Sequence, residues 1–490
     1  MEGTVCRALL TRIRGIFPRS SRSAVLIGAA VLFVLMAVRT AAAQDRTPAA
    51  TTVLSPQEKQ RWRTEADQQV SAGDLKGSLN TLNLIGEPIV GSVKVEGLVR
   101  GDSEAVGEYL ALQPGALFTA ERLLRLERRL DELPIASKST VGYQARAGSA
   151  VVTPVVSERD RVPTGVMTWM SVGARAAFTR EVRVNFSDLA GWGEVWTPAV
   201  RVDPDRMRAL LHLSVPAPGR IPGVLHLETF TERQRYQGDA INGFYQEYRF
   251  RAGGALSDWV TSWLRLEGGP AYERIAGTNY FAFGGNVTVR TWEDRLAFIL
   301  TGERWNAQAP VSPLVLASLP ELSFSRKVGG RAFGSTEFVA AVRSTADAET
   351  PSVSWLAGVS RVGEGAPLAL WPAATSSQTR GVLLRAHDFD RRDLSEEEMI
   401  GRRLWFTTVE YEHPIHVAFG TLAVAGFVDS ARALSRPDGS TSKVQIDIGA
   451  GVRVATSKSA GGRVRLDFGY GLRDGGMQLS AGYVVPWGTR

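Results

Sequence analysis

Between Val444 and Val454 the chain alternates without a break: Val444, Ile446, Ile448, Ala450, Val452 and Val454 share one face, and Gln445, Asp447, Gly449, Gly451 and Arg453 share the other. Side chains along a strand point to opposite faces in turn, so this segment is a β-strand with one apolar side. Arg463 to Leu472 repeats the pattern, setting Val464, Leu466, Phe468, Tyr470 and Leu472 against Arg463, Arg465, Asp467, Gly469 and Gly471, and Met477 to Val485 does so again. A soluble β-sandwich alternates as well, but it turns its apolar side inward and builds strands of about five or six residues. Runs of about 9 to 11 residues belong instead to strands that cross a bilayer in a barrel. Similar runs, separated by Gly, Pro, Asp and Ser, number about eleven from Val166 to a polar stretch near Glu364 to Arg402, and about five after it. The expected fold class is mainly β: a transmembrane antiparallel β-barrel of about 16 strands, an even number as in bacterial barrels. Closure of such a sheet is obligatory, because each unpaired N–H or C=O at an open edge in lipid costs several kcal/mol.

Composition fits a barrel better than a bundle of membrane helices. Hydrophobic residues make up 44% of the chain and glycine is frequent at 50 residues, while the mean hydropathy is only −0.07. Strands with one face on a polar lumen tolerate that polarity. The amino terminus carries Arg7, Arg12, Arg14, Arg19 and Arg22, then an apolar run from Ala24 to Val38, then Ala41-Ala42-Ala43 before Gln44. This predicts a secretory signal peptide over residues 1–43, since the apolar run falls short of the about 20 residues of a spanning helix and small residues precede the cut. Arg39 and the long basic region also fit an uncleaved anchor helix. Cys6, the only cysteine, lies in the removed piece, so the exported chain is expected to hold no disulfide and no thiol nucleophile. The formal charge of +7 owes much to the same early arginines, and no nucleic-acid partner is expected from it.

Residues 44–88 are polar, with a helix-like stretch from Ser55 to Leu82. A linker, a short docking helix and a helix entering the barrel all fit. Residues 89–160 have another texture: a short strand in IVGSVKVEGL, helical patterns in SEAVGEYLAL and AERLLRLERRLDEL, and strands in STVGYQARA and SAVVTPVVSE. Leu123, Leu126 and Leu130 recur at helical spacing, flanked by Leu124 and Leu133, with Arg and Glu on the other face. The result is a small β-α-α-β-β unit. Its order, together with Glu96-Gly97, Leu112-Gln113-Pro114-Gly115, Leu133-Pro134 and the closing Val155-Val156-Ser157-Glu158, resembles a POTRA (polypeptide-transport-associated) domain. The resemblance implies a periplasmic domain that binds unfolded clients or a periplasmic partner, often by adding a strand to a sheet edge. After a break at Arg161 to Gly165, residues 165–490 are the expected barrel.

Little in the sequence points to catalysis. There are five histidines and no G-x-S-x-G, P-loop or H-E-x-x-H. His413 and His416 stand three apart, and strand positions three apart face opposite sides, which argues against a shared metal. No catalytic residue, metal or cofactor is expected, although dispersed Ser, Asp and Glu leave an enzyme inside the barrel as a third reading.

The barrel motifs resemble those of the BamA/TamA-like surface-antigen family. Leu383-Leu384-Arg385-Ala386-His387-Asp388-Phe389 is similar to that family's Val-Arg-Gly-Phe/Tyr in its largest extracellular loop, with Ala386 and His387 replacing the glycine and the aromatic; Thr379-Arg380-Gly381-Val382 is a rival alignment. The resemblance implies that Arg385 reaches into the barrel and pairs with Glu410 and Asp429 on the next two strands. Strand parity agrees. Trp405, Val409 and Tyr411 make one lipid face and Leu422, Val424 and Val428 the other, which turns both carboxylates to the lumen. The loop would then be a plug; simple solvated lumen charges are the alternative. Leu189-Ala190-Gly191-Trp192-Gly193, after Asp188, resembles the family's N-L-x-G-x-G bend, with Gly191 and Gly193 as its turning points. Ser480, Gly482, Val485 and Trp487 resemble the last-strand targeting pattern, from which Pro486 departs. Lacking an N–H, Pro486 either weakens a seam between first and last strands or ends the strand at the interface. Family resemblance implies a bacterial outer-membrane barrel, in contact with lipid and with unfolded outer-membrane or secreted clients, that assembles or translocates them by strand pairing. A pore or structural barrel without assembly activity is the alternative.

Overall fold

The computed structural model describes residues 54–484 apart from 147, 165–168, 170–171, 174–175, 178–179, 205, 220, 239–242, 308–331, 346, 348–349, 375–382, 388–398, 418–419 and 457–462. The predicted signal peptide, the rival motif at Thr379 to Val382, and Val485, Pro486 and Trp487 lie outside the described residues. The chain divides into two compact units at Glu87/Pro88.

The described part of the first unit, residues 54–87, is a pair of helices, not the single helix-like stretch expected over Ser55 to Leu82. Helix α1 spans Pro56–Ser71 and α2 spans Leu75–Asn83. Ser55 opens α1 with a reciprocal capping box: Glu58 N–H donates to its hydroxyl (3.2 Å) and its own N–H donates to the Glu58 carboxylate (2.8 Å). Gly73, at φ +82°, breaks the run in a left-handed conformation that costs glycine little. Asp74 then caps α2 by accepting from Gly77 N–H (2.8 Å), and Leu79 and Leu82 are buried.

The second unit begins with a three-stranded sheet. Strand β1 (Ile89–Val93), helices α3 (Ser103–Leu110) and α4 (Ala120–Glu132), and strands β2 (Ala136–Arg146) and β3 (Ser149–Glu158) follow in that order. β3 is central, parallel to β1 and antiparallel to β2. Leu123, Leu126 and Leu130 bury the apolar stripe of α4, and Phe118 meets Tyr143 edge-on at 5.6 Å between ring centroids. Each fully buried leucine contributes about 1.5–3 kcal/mol relative to exposure.

The remaining strands form a 16-stranded antiparallel meander. β4 (Glu181–Arg183) and β5 (Phe186–Ser187) both pair with β6 (Val195–Arg201), as two pieces of one interrupted strand. Then come β7 (Arg206–Pro216), β8 (Val224–Gly238), β9 (Gly243–Trp259), β10 (Leu264–Ile275), β11 (Thr278–Thr291), β12 (Leu296–Ala307), β13 (Ala332–Arg343) and β14 (Ser352–Val362). After the long loop follow β15 (Arg403–Val417), β16 (Gly420–Leu434), β17 (Gln445–Thr456), β18 (Arg463–Gly471) and β19 (Met477–Val484). Among the described residues, and with β4 and β5 counted separately, eleven strand segments precede the loop and five follow it, matching the division expected from the alternation.

Burial in this sheet inverts that of a water-soluble protein. Trp405, Val409, Tyr411, Val424, Val428, Ile448 and Phe468 are exposed on the outer face, while Glu273, Asp429, Asp447, Arg453 and Asp467 are at most 1% exposed inside. A wall of exposed aliphatic and aromatic side chains around a charged interior suits hydrocarbon as solvent, and so the strands span a membrane.

Helix α4 identifies the two ends of the barrel. Its Arg129 grips Asp258 with two hydrogen bonds (2.9 and 2.7 Å), and its Glu132 accepts from Trp259 Nε1 (2.9 Å) and Arg265 Nε (2.6 Å). Arg128 stacks 4.4 Å over the Trp259 ring. The β9–β10 connection therefore lies at the small domain's end, and the β14–β15 loop at the opposite end. The polar face of α4, which the sequence pattern leaves open to solvent, is instead a docking face.

Candidate functional site

The site is built where the β14–β15 loop returns into the lumen. Two apolar anchors hold the loop. Leu368 and Trp371, around a short 3-10 helix, pack with inward Tyr280, Trp305 and Phe333, and Leu384 packs with Met399, Leu404, Phe406, Ala431 and Ala433. Between strands whose inner faces are mostly charged, these clusters keep part of the lumen dry.

Arg385 follows Leu384 directly and is 2% exposed. Its Nε and Nη2 donate to the two oxygens of Asp429 at 2.8 Å each, the forked geometry that a guanidinium offers a carboxylate. Its Nη1 donates to Glu410 and lies 3.6 Å from Asp467. The guanidinium stacks on Phe427, 3.5 Å from the ring centroid, which covers one face against water. The structure thus brings Arg385, from the loop, together with Glu410 on β15 and Asp429 on β16, both on the inward face.

Residues that the sequence reading did not single out complete the cluster. Arg453 on β17 donates to the other oxygen of Glu410 (2.8 Å) and to Asp467, so Glu410 is shared between two arginines. Asp447 accepts from the Ala386 backbone N–H (2.7 Å), and its carboxylate lies 3.0 Å from His387 Nδ1. His387 Nε2 reaches Asp474 in the β18–β19 turn (2.6 Å) and Gln445 (2.8 Å). A Cβ at Gly469 would stand 2.7 Å from the Ala386 nitrogen and the Arg385 carbonyl carbon, so the loop backbone rests on that glycine. The signal for Asp447, Arg453, Asp467 and Gly469 was present, since all four fall on the inward face of the alternating runs. What alternation cannot supply is which inward residues meet.

Chemically, the cluster is an ion-pair lock. Breaking one partner strands a buried charge, which costs about 3–5 kcal/mol where burial is deep.

No protein-family model and no curated protein matches the chain. Among solved structures, CdiB from Escherichia coli aligns with a TM-score of 0.54 at 11% identity, covering 89% of this chain and 88% of that one. The chain shares the fold of CdiB. CdiB from Acinetobacter baumannii aligns at 0.49 and 9% identity over 88% and 87% of the two chains. BamA from Haemophilus ducreyi lacking POTRA domains 1–3 aligns at 0.47 and 10% over 81% and 84%.

Two other predicted features frame this CdiB-like barrel. At the bend after β5, Gly191 and Gly193 both take positive φ (82° and 69°). Asp188, in the place of asparagine, accepts from Gly193 N–H (3.1 Å), and the buried Glu194 accepts from Ala190 and Trp192 N–H (2.6 and 3.0 Å). At the other end of the sheet, Gly482 pairs with Arg465 in β19.

Proposed function

We propose that this protein resides in the bacterial outer membrane with its small domain in the periplasm, and that it inserts or translocates other outer-membrane or secreted proteins by β-strand pairing. The carrying observation is the loop arginine held inside the barrel by Asp429 and Glu410. The shared fold of CdiB and the small β-α-α-β-β domain ahead of the barrel support the same reading. In this reading a client strand adds to β2, an edge of the three-stranded sheet with 11 residues, through backbone hydrogen bonds that require no particular client sequence. Strand pairing needs no covalent chemistry, nucleotide or metal.

The test is single-channel conductance of the refolded protein in planar bilayers, wild type against Arg385→Ala. Small flickering currents that grow larger and steadier in the variant are expected of a loop held in the lumen. A large, steady wild-type conductance that the substitution leaves unchanged would replace this reading with that of an open pore.

A further inference from the structure

The arginines of the barrel wall divide by face. Several on the lumen side meet carboxylates, as Arg201 does with Glu181 (2.7 Å), Arg251 with Glu303 (2.6 Å) and Arg453 with Glu410 (2.8 Å). A second set faces outward. Arg274 follows the exposed Tyr272 by two residues on β10, and Arg304 stands opposite the exposed Phe283. Arg361 lies two residues beyond the exposed Val359, Arg403 two before the exposed Trp405, and Arg432 opposite Trp405. Arg233 and Arg235 hold outward positions on β8.

All seven of these arginines occupy the half of the barrel remote from the small domain. At outward positions in that half of strands β8 to β17, the described residues include no aspartate or glutamate. In the half near the small domain, outward positions carry Trp355, Tyr411, Val353 and Ile415 and no arginine among the described residues. The outer face is therefore electrically asymmetric across the membrane.

The belt is densest at one place. Arg361 and Arg403 are direct cross-strand partners, and Arg432 is the diagonal neighbour of Arg403 across the β15–β16 pair. Directly opposed like charges destabilise a sheet, and diagonal neighbours lie within reach of such long side chains. Arg432 Nε donates to a neutral oxygen, the Ser442 carbonyl (3.1 Å). Trp405 lies directly opposite Arg432 and two residues from Arg403, and it is exposed; tryptophan is a residue enriched where hydrocarbon meets headgroups.

A ligand for this place must be anionic, must accept several charge-assisted hydrogen bonds, and must be reached from the lipid side. We infer that Arg403 and Arg432, with Trp405 beside them, form a site for the phosphate of a phosphorylated lipid in the leaflet remote from the small domain. The rest of the belt, Arg233, Arg235, Arg274 and Arg304, extends the same headgroup contact around the barrel. Phosphate supplies the oxygens that a fork of guanidinium donors matches. The inference rests on the membrane-spanning fold and does not depend on whether the barrel moves a client.

Native mass spectrometry of the purified full-length protein in detergent tests it, with a bisphosphorylated lipid A as probe and its dephosphorylated form beside it. Wild-type protein is expected to retain the phosphorylated lipid at least tenfold more than the dephosphorylated one. Arg403→Gln/Arg432→Gln should lose that preference, while Arg403→Lys/Arg432→Lys should keep part of it. Unchanged heat-modifiable gel migration shows that the variants still fold; if the glutamine variant does not fold, the wild-type comparison of the two lipids decides alone. Equal retention of both lipids by the wild type would reduce the effect to acyl-chain packing and overturn the site. Displacement of the lipid by millimolar inorganic phosphate, with phosphate held in its place, would make it a free-phosphate site and overturn the lipid assignment. Neither result bears on the conductance test of the loop, so the two readings fail separately.

Discussion

Arg385 and Gly469 are two halves of one requirement. The guanidinium reaches Asp429 and Glu410 only if the loop backbone comes down onto β18, and it comes down where β18 has no side chain. Gly469→Val should therefore lift the loop and raise conductance as Arg385→Ala does. Gly426→Val on β16, where an added Cβ meets nothing within 4 Å, is the matched control. Equal conductance of the two glycine variants would separate the lock from the loop's seating. Ala386 needs no such freedom: among the described residues it is not one with a left-handed backbone, so an alanine is accommodated where the resemblance led one to expect glycine. In the small domain, Glu158 shows the same economy of position. Burial works against its charge, but hydrogen bonds from Gly101 N–H (2.8 Å), the Arg100 guanidinium (2.8 Å), Arg100 N–H (2.9 Å) and Val99 N–H (3.0 Å) outweigh it and hold its pKa at about 2. A carboxyl with a depressed folded pKa lends stability that is complete above its ordinary value and lost as pH falls toward the folded one. The protection factors of the Val99–Gly101 amides against hydrogen exchange should fall between about pH 5 and pH 2 in the wild type, and should be low throughout in Glu158→Gln. A wild-type protection factor with no such dependence would show that these amides are protected by something else.

Helix α4 was legible as an amphipathic helix but not as a connector. Its leucine stripe states which face is buried in its own domain, and the structure agrees at Leu123, Leu126 and Leu130. The opposite face reads as solvated because Arg and Glu are the usual residues of such a face, and a sequence does not announce that their partners lie more than a hundred residues away. Arg129 is 2% exposed because Asp258 and the Leu110 carbonyl take its donors. The long barrel strands were legible for the opposite reason: alternation is local, and both lipid and lumen enforce it at every second residue. The split between α1 and α2 was missed because one glycine in a helical pattern is tolerated as often as it breaks one. For the connector, a double-mutant cycle on Arg129→Ala and Asp258→Ala is decisive. Each single change strands a partly buried charge and should cost about 3–5 kcal/mol, while the double change should cost much less than their sum. Thermal unfolding in detergent gives the values, and strict additivity would mean that the two residues do not depend on each other.

At the scale of the whole molecule, two kinds of interaction hold one loop inside the lumen. Trp371 and Leu368 anchor its first part among Tyr280, Trp305 and Phe333, and Arg385 anchors its later part to Asp429 and Glu410. The first anchor is hydrophobic and insensitive to salt; the second is ionic, but it is buried and covered by Phe427, so screening reaches it weakly. A loop held at two points is freed in full only when both are lost. Trp371→Ala alone should enlarge the current less than Arg385→Ala does, because the ionic anchor that seats the loop in the lumen remains. Trp371→Ala/Arg385→Ala should conduct by more than the sum of the single increments, since only that variant frees the whole segment. Simple additivity would assign the two anchors to separate obstructions. A double variant no more conductive than Arg385→Ala would show that the arginine alone holds the loop and that the aromatic cluster is merely the far wall against which it rests.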